Sequence, residues 1–475
     1  MKIYLPNAVR SFVLRRMLIV TFTLPFCLSA QTTEPAADAA MVRKIYDQAL
    51  TDGRCYPWLE HLATRIGHRL SGSESAARAV AWTRATLDTL GLDSVWLQPC
   101  MVPHWVRGAA EQVRVIGAKS GPLKLQALAL GGSVATPATG LRGGVVEVKT
   151  WQELDSLGTK GLLSGKLVFY NRPMDPTRIR TFEAYGGAVD QRVYGASRAA
   201  KYGATGVLVR SVTLRLDDFP HTGTLLYDTA VARIPAVAIS TNAAEKLSRL
   251  LKSEPKITVS MRLYCRTLPD QPSYNVIGEI RGSERPQDVL LVGGHLDSWD
   301  VGQGAHDDGA GVVQSMDVLR YLRRIGYRPR HTIRCVLFMN EENGSRGGAK
   351  YAAEATRKGE FHLCAIESDA GGFTPRGFSF EGDKTVFPAF FEKVKTLRPL
   401  LEPYGLLLTE GGSGADVSHL RGMKGLLSGY SSDSQRYFDI HHSAADTFDK
   451  VNKRELELGA ASMAALIYLL DKYGL

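Results

Sequence analysis

A His-x-Asp pair followed by a third carboxylate is the clearest chemical signal in the sequence. His295 and Asp297 come directly after an apolar run at 289–292, and Asp307 lies beyond a glycine-rich loop at the predicted start of a helix. A metal-bound imidazole usually donates its second N–H to a carboxylate, and Asp297 is spaced to accept it from His295. Each motif alone is more often structural, but together they indicate a metal site.

Later segments place further acids and imidazoles just past predicted strands. Glu341 and Glu342 are adjacent, so one can bind a metal while the other faces the water to be activated. Asp369 closes an apolar strand, where an unpaired carboxylate is costly. His441 and His442 supply a late imidazole. Because open α/β sheets bind ligands at the carboxyl ends of their strands, we expect these side chains to converge on one edge.

The elements that position these residues alternate between strands and helices from Tyr274 onward. This alternation predicts an α/β fold with a mainly parallel central sheet flanked by helices. The predicted strands are 275–280, 288–293, 332–339, 363–368 and 425–429. The predicted helices are 308–325, 347–357, 387–397 and 453–473. A further helix is predicted after a capping box, Ser71-x-x-Glu74, and ends at Gly91.

Residues 119–270 differ from the rest of the chain in their predicted secondary structure. Short strands at 144–148, 166–170 and 206–209 alternate with glycine-rich turns, and a helix is predicted at 192–202. This block contains no cluster of His, Asp and Glu at ligand spacing. We therefore interpret it as an inserted β-rich domain that walls or covers a site built elsewhere in the chain.

Composition excludes several classes of protein. The chain of 475 residues is 44% hydrophobic and 22% charged, which is typical of a globular protein with room for two domains. Its formal charge of +10 includes four basic residues and no acid among the first 30 residues, and removing that segment leaves +6. Since no Lys/Arg block or RNA-binding signature occurs, no nucleic-acid partner is expected.

Residues 1–30 have the pattern of a secretory signal peptide. Basic residues precede an apolar stretch at 17–28, and small residues at 29–30 offer a cleavage site. The stretch is too short to span a bilayer comfortably, so we expect a periplasmic or extracellular protein without a stable membrane span in the mature chain. An uncleaved anchor is the alternative. The five remaining cysteines are scattered, and if one bridge forms, Cys55–Cys100 is the pair we expect.

Taken in order, these motifs resemble the M28 family of metallopeptidases. That family has a His-x-Asp, a bridging Asp before a glycine-rich helix start, a Glu-Glu, a lone Asp and a late His before Asp-Thr. Longer segments look most like the carboxypeptidase Q group of that family: HLDSWDVGQGAHDDGAG from His295, ESDAGGF from Glu367, HHSAADT from His441, RLSGS from Arg69, PHWVRG from Pro103 and PHTG from Pro220. The resemblance covers nearly all of the chain after residue 30.

The resemblance implies two zinc ions in each chain. One would be held by His295 and Asp369, the other by Glu342 and His442, and Asp307 would bridge them. The family's spacing to Asp-Thr favours His442 over its neighbour. Cobalt or manganese would also suit this set of donors.

The resemblance also implies roles for Asp297, which would orient His295, and for Glu341, which would be the general base. The implied function is hydrolysis of dipeptides or short peptides by a carboxypeptidase or dipeptidase, acting as a homodimer. An aminopeptidase of the same family, a non-catalytic binding protein and a glutaminyl cyclase on a related fold are the alternatives. The implied organisation is a signal peptide at 1–30, the start of the peptidase domain at 31–118, an inserted protease-associated-type domain at 119–270 and the catalytic part at 271–475.

Overall fold

The computed structural model describes residues 34–474, and sixteen strands within this range form two sheets. In chain order the strands are β1 (Ser94–Val106), β2 (Gln112–Ile116), β3 (Leu123–Lys124), β4 (Ala127–Ala129), β5 (Leu141–Val148), β6 (Leu167–Tyr170), β7 (Gly206–Arg210), β8 (Ala236–Ile239), β9 (Thr258–Arg262), β10 (Arg266–Ile280), β11 (Arg285–His295), β12 (His331–Phe338), β13 (Phe361–Glu367), β14 (Pro375–Gly382), β15 (Leu407–Glu410) and β16 (Leu426–Ser432).

Twelve α-helices within the same range cover these sheets. They are α1 (Glu34–Asp52), α2 (Cys55–Glu60), α3 (Glu74–Asp88), α4 (Trp151–Thr159), α5 (Thr181–Gly186), α6 (Asp190–Ala200), α7 (Thr241–Ser253), α8 (Ala310–Arg324), α9 (Arg346–Lys358), α10 (Phe387–Lys395), α11 (Arg398–Leu401) and α12 (Lys453–Tyr473). Within 34–474 no helix has the length and apolar character needed to cross a membrane. The predicted signal peptide lies outside the described residues.

The first sheet is mixed, with a parallel centre. Its strands follow the order β1-β10-β12-β11-β13-β16-β14-β15. The central strands β12, β11, β13 and β16 are parallel, whereas β1, β10 and β14 join the sheet in antiparallel pairings. The predicted α/β fold is therefore confirmed in its central strands and flanking helices, and its margins are antiparallel. Strands β14 and β15 have no counterpart in the sequence prediction.

The apolar run of β11 is buried on both faces of this sheet. Leu290 and Val292 pack into the core formed with α1, α8 and α12, while Val289 and Leu291 pack against the residues of α9. Successive side chains of a strand point to opposite faces, so a strand covered on both sides is apolar at every position. This burial holds the end of β11, and with it His295, in a fixed place.

Helix α3 begins two residues later in its motif than predicted. Ser73, not Ser71, is its N-cap, because the Ser73 hydroxyl accepts a hydrogen bond of 3.1 Å from the backbone N–H of Ala76. Gly72 has a φ of +82°, so the chain turns there before the helix can start. The freed Ser71 hydroxyl donates instead to Asn343 Oδ1 at 2.8 Å, in the loop of the glutamate pair.

The chain between β1 and β10 forms the second sheet, and residues 112–262 are called the second-sheet segment below. Its strands follow the order β3-β2-β9-β5-β6-β7-β8-β4. Leu167 and Phe169 of β6 pack on the side of α7, and Val168 and Tyr170 pack on the side of α4 and α6. With its four helices this segment is α/β in character, and its first strand begins at Gln112.

The predicted Cys55–Cys100 bridge is wrong. The five cysteines of the described residues are all buried and unpaired. Cys55 Sγ lies 3.5 Å from Asp317 Oδ2 on α8, so it faces a carboxylate and not another thiol. As small buried side chains in the core, these cysteines contribute packing.

Candidate metal centre

The carboxyl edge of the first sheet collects the predicted site residues. Strand β11 ends at His295, β12 leads into Glu341 and Glu342, and β13 leads into Asp369. The loop before α12 brings His442 to the same edge. Because β11, β12 and β13 are parallel neighbours, the residues that follow them must meet there.

Five of these residues, which we call the ligand cluster, form two triads that share one carboxylate. His295 Nε2 lies 3.2 Å from Asp307 Oδ1 and 3.6 Å from Asp369 Oδ1. His442 Nε2 lies 3.2 Å from Asp307 Oδ2 and 3.1 Å from Glu342 Oε2. Each oxygen of Asp307 therefore faces a different triad, as a bridging carboxylate requires.

The spacing of these donor atoms fits a pair of zinc ions. Two donors that share a tetrahedral zinc at about 2.1 Å lie about 3.4 Å apart. The four separations in the ligand cluster are 3.1–3.6 Å. Asp307 Oδ2 is also buried without a hydrogen-bond partner in the described structure, and a cation would compensate that oxygen.

Burial and mutual contact shift the pKa values of this cluster strongly. Burial raises the pKa of Asp307, but its close contacts with the imidazoles of His295 and His442 outweigh burial and hold that pKa well below its usual range. Burial lowers the pKa of each imidazole, yet the neighbouring carboxylates raise both pKa values well above normal. Burial, assisted by Asp307, raises the pKa of Glu342 to about 7. The carboxylates of the cluster therefore stabilise positive charge next to them.

Asp297 supports the site through two different groups. His295 Nδ1 lies 3.0 Å from the main-chain oxygen of Asp297 and 3.9 Å from its carboxylate, so the main chain is the nearer acceptor. The Asp297 carboxylate instead accepts N–H bonds from Asn340 at 2.7 Å and Glu341 at 3.1 Å. The side chain thus positions the loop that carries Glu341.

Two carboxylates outside the predicted ligand set accept hydrogen bonds from the backbone of the metal centre. Asp308 accepts N–H bonds from His295 at 3.0 Å and from Gly311 at 2.9 Å, which ties the end of β11 to the start of α8. Asp446 accepts N–H bonds from His306 at 2.8 Å and Asp307 at 3.1 Å. Both lie inside recognisable motifs, but only the fold shows which backbone groups they bind.

Arg69 is the third supporting residue that the sequence did not reveal. Its side chain is fully buried and donates hydrogen bonds to the carbonyl oxygens of Leu296, Gln303 and Gly304 at 2.6, 3.1 and 3.0 Å. These three residues belong to the loop between His295 and Asp307. Arg69 therefore fixes the loop that joins the two triads.

Replacing Arg69 with methionine is expected to lower the free energy of unfolding by about 3–5 kcal/mol, because three buried carbonyl oxygens lose their donors. Denaturant titration of the purified protein measures this. Arg78→Met, on the exposed face of α3, is the matched control and should change stability by less than about 0.5 kcal/mol. Equal stability of the two variants would contradict this role.

His442 is held by the second-sheet segment. Its backbone is in the left-handed region at a φ of +60°, and Thr222 N–H donates to its carbonyl oxygen at 2.9 Å. His442 Nδ1 lies 3.3 Å from the Thr222 carbonyl oxygen, which fixes the ring with Nε2 towards the ligand cluster. His441 stacks on this ring at 3.5 Å, but its Nε2 lies 3.7 Å from Asp307.

We expect His442→Ala to lose about one metal ion per chain and His441→Ala to retain the full complement. The reason is that His442 Nε2 contacts both Asp307 and Glu342 within 3.2 Å, whereas His441 only approaches Asp307. Elemental analysis of the two purified variants measures the metal content. The opposite ranking would make His441 the ligand.

A cleft of about 470 Å³ lies over the ligand cluster. Glu341 lines it from the side of the first sheet. The second-sheet segment forms a wall of the cleft, as expected from the sequence, and contributes Phe182, Tyr185, Arg192, Thr224 and Leu226.

Comparison with known proteins identifies the family. Residues 275–467 match the profile of peptidase family M28. A solved structure of a peptidase M28 precursor from Shewanella amazonensis SB2B is 33% identical, with a TM-score of 0.85, and the match covers 92% of this chain and 97% of that one. The chain belongs to peptidase family M28, which confirms the family and the metallopeptidase class predicted from the sequence.

Within this family the chain is similar to carboxypeptidase Q. The protein of that name from Bos taurus is 34% identical over 90% of this chain and 86% of its own length. The one from Xenopus laevis is 35% identical over 92% of this chain and 91% of its own length. The similarity therefore spans both sheets and is not confined to the ligand cluster.

Proposed function

We propose that this protein is a zinc-dependent exopeptidase that hydrolyses dipeptides or short peptides by carboxypeptidase or dipeptidase action. The observation that carries the proposal is the pair of triads that share Asp307 beneath the cleft. The similarity to proteins named carboxypeptidase Q supports action at the carboxyl end of the peptide. A cleft of about 470 Å³ is in the size range of small-ligand sites and suits a short peptide.

Two zinc ions would be held by the ligand cluster. His295 and Asp369 would bind one ion, Glu342 and His442 would bind the other, and Asp307 would contact both. Bound zinc makes a water acidic enough to lose its proton near neutral pH and polarises a carbonyl oxygen. Cobalt or manganese would be accepted by the same donors.

Glu341 would transfer the proton of the attacking water. It lines the cleft next to Glu342, and its backbone N–H is held by the Asp297 carboxylate at 3.1 Å. From there the Glu341 carboxylate would accept a proton from the attacking water and donate it to the leaving amine. The Asp297 side chain holds the loop of Glu341, and the Asp297 main-chain oxygen lies next to His295 Nδ1. Asp297 would therefore keep the general base in a fixed position relative to the ligand cluster.

A panel of dipeptides with free ends, blocked amino ends and amidated carboxyl ends, assayed with and without a chelator, tests the proposal. Chelator-sensitive cleavage of free and N-blocked peptides supports a carboxypeptidase, and cleavage of free dipeptides alone supports a dipeptidase. Cleavage of amidated but not N-blocked peptides would make the protein an aminopeptidase. Failure to cleave any peptide with metal bound would favour a glutaminyl cyclase or a binding protein.

The wider organisation is part of the proposal. We infer a signal peptide at 1–30 that exports the protein to the periplasm or the medium, with peptidase-domain parts at 31–118 and 271–475. Residues 119–270 would be a domain of the protease-associated type, and two chains would form a homodimer. The position of the second sheet between the paired strands β1 and β10 supports an insertion.

A further inference from the structure

One motif of the sequence, PHWVRG at 103–108, has no role in the chemistry proposed above. It forms the end of β1 and the turn after it, where the chain leaves the first sheet for the second. The side chain of Arg107 is only 10% exposed at this junction. Because a buried guanidinium needs partners for its N–H groups, the contacts of Arg107 show what the motif holds together.

Arg107 joins the loop of the metal centre to the second sheet. Its Nε and Nη2 donate to the two carboxylate oxygens of Asp300 at 2.8 and 2.5 Å, which makes a bidentate pair. Nη1 lies 3.3 Å from Glu111 Oε1 and also donates to the Ala129 carbonyl oxygen. Asp300 lies in the loop that follows β11, whereas Ala129 ends β4. One side chain therefore connects the two sheets.

From Asp300 the contacts lead to Glu342. Trp299 precedes Asp300 in the chain, is buried, and donates its backbone N–H to Glu342 Oε1 at 3.2 Å. The other oxygen, Oε2, lies 3.1 Å from His442 Nε2 in the ligand cluster. The backbone of Trp299 thus orients the Glu342 carboxylate, and the Arg107–Asp300 pair holds that backbone.

The Trp299 ring is fixed by the second sheet. It belongs to the same apolar core as Leu208 of β7 and Trp105 of the PHWVRG motif. A Cβ built on Gly131 would come within 1.8 Å of Trp299 Cη2, so a side chain at this position would displace the ring. The ring also meets the His442 imidazole edge-on, with 5.7 Å between ring centres. The Trp299 backbone therefore cannot shift without disturbing this packing.

From Ala129 the contacts lead to His442. The Ala129 carbonyl oxygen that accepts from Arg107 also accepts from the Thr222 hydroxyl at 2.8 Å. Thr222 N–H donates to the His442 carbonyl oxygen at 2.9 Å, and the Thr222 carbonyl oxygen lies 3.3 Å from His442 Nδ1. Two residues thus separate Arg107 from His442 on this side, as two separate it from Glu342 on the other.

Both sets of contacts end on the same triad. Glu342 and His442 would hold one zinc ion together with the shared Asp307. As the described residues form them, neither set contacts His295 or Asp369, which follow β11 and β13 and are positioned within the first sheet. The triad of Glu342 and His442 is therefore the one whose geometry depends on the junction between the sheets.

We propose that Arg107 is a positioning residue for one of the two zinc ions. By holding Trp299 and Thr222 it keeps Glu342 and His442 at binding distance, so its loss weakens the ion at that triad and not the other ion. This inference rests on the proposed metal centre. The outcome to be separated from it is a purely structural role, in which Arg107 stabilises the junction without affecting zinc.

The test measures zinc affinity at each triad separately. Asp369→Ala leaves only the triad of Glu342 and His442 intact, and Glu342→Ala leaves only the triad of His295 and Asp369. Each metal-free protein is titrated with zinc in competition with a coloured chelator, with Arg107 intact or replaced by methionine. We expect Arg107→Met to weaken zinc binding about 10-fold in the Asp369→Ala protein and less than about threefold in the Glu342→Ala protein, because lost supporting contacts of metal ligands weaken affinity on this scale.

The matched control is Arg334→Met. Arg334 is also buried, at 8% exposure, and also binds two acids, Glu279 at 3.0 Å and Glu360 at 2.7 Å, but these partners contact neither triad. This variant should lower the midpoint of thermal unfolding and leave both zinc affinities unchanged. Arg107→Lys should recover part of the lost affinity, because an ammonium group can keep one contact to Asp300 but not the bidentate pair.

Asp300→Asn is a milder variant of the same pair, since Asp300 is partly exposed and the amide keeps its shape. It should reproduce the selective loss, and combining it with Arg107→Met should add little. Equal weakening of both triads in folded protein, or no change at either, would overturn the proposal. If the parent protein binds fewer than two zinc ions, the metal centre and this inference fail together. If it binds two but cleaves no peptide, the peptidase function fails while the positioning role stands.

Discussion

Glu341→Gln is expected to lower kcat on a free dipeptide by about 10²- to 10⁴-fold while the protein keeps its full zinc content. The amide has nearly the same shape as the carboxylate, so the loop held by Asp297 should persist. What is lost is the group that takes a proton from water. Steady-state assays and elemental analysis of the same preparation measure the two effects separately.

The neighbouring glutamate provides the sharpest control for this prediction. Glu342→Gln removes a charge one residue away, but Glu342 Oε2 lies 3.1 Å from His442 Nε2, so this variant should lose zinc together with activity. Glu354→Gln, at the surface on α9, should lose neither. Full activity of Glu341→Gln would show that another group is the base, and loss of zinc from it would show that Glu341 is a ligand.

Asp307→Ala is expected to lose both zinc ions and all measurable hydrolysis. Its two oxygens face separate imidazoles at 3.2 Å each, so removing the carboxylate deprives both triads of a ligand at once. Each triad would keep only two protein donors, which is below the number found in stable zinc sites. Elemental analysis after gel filtration gives the number of ions per chain.

Variants of single triads separate a bridge from a general structural defect. Asp369→Ala and Glu342→Ala each remove a ligand from one triad only, so each should retain about one ion per chain. Circular dichroism and thermal unfolding show whether the three variants remain folded. Two ions retained by a folded Asp307→Ala protein would refute the bridge.

Three members of the ligand cluster were accessible to sequence reasoning because they follow buried strands, and the family resemblance supplied the other two, Asp307 and His442. Residues 289–292 are apolar at every position, which is typical of a strand covered on both faces, and His295 comes directly after it. The same reasoning placed Glu342 after β12 and Asp369 after β13. Helix α12 was predicted with its observed bounds, because its apolar spacing is long and regular and Asn452 caps it.

Supporting residues were not accessible in the same way, because their partners are backbone groups far away in the sequence. Arg69 binds carbonyl oxygens more than 220 positions away, and its segment gives no sign of them. The N-cap of α3 was misplaced because Ser71 and Ser73 both fit a capping motif, and only the turn at Gly72 separates them. The unpaired state of Cys55 likewise depends on the neighbouring α8.

By itself the sequence determined the family, the parallel centre of the first sheet and the identity of the candidate ligands, because local periodicity and motif order are written along the chain. The tertiary structure alone decided which oxygens of Asp307 face which imidazole, which group of Asp297 meets His295, and that Arg192 enters the cleft. These features depend on packing two sheets together, and a contact between distant segments leaves no local pattern in either of them. For that reason the candidate chemistry could be predicted from the sequence, whereas the contacts that hold the candidate ligands in place were seen only in the fold.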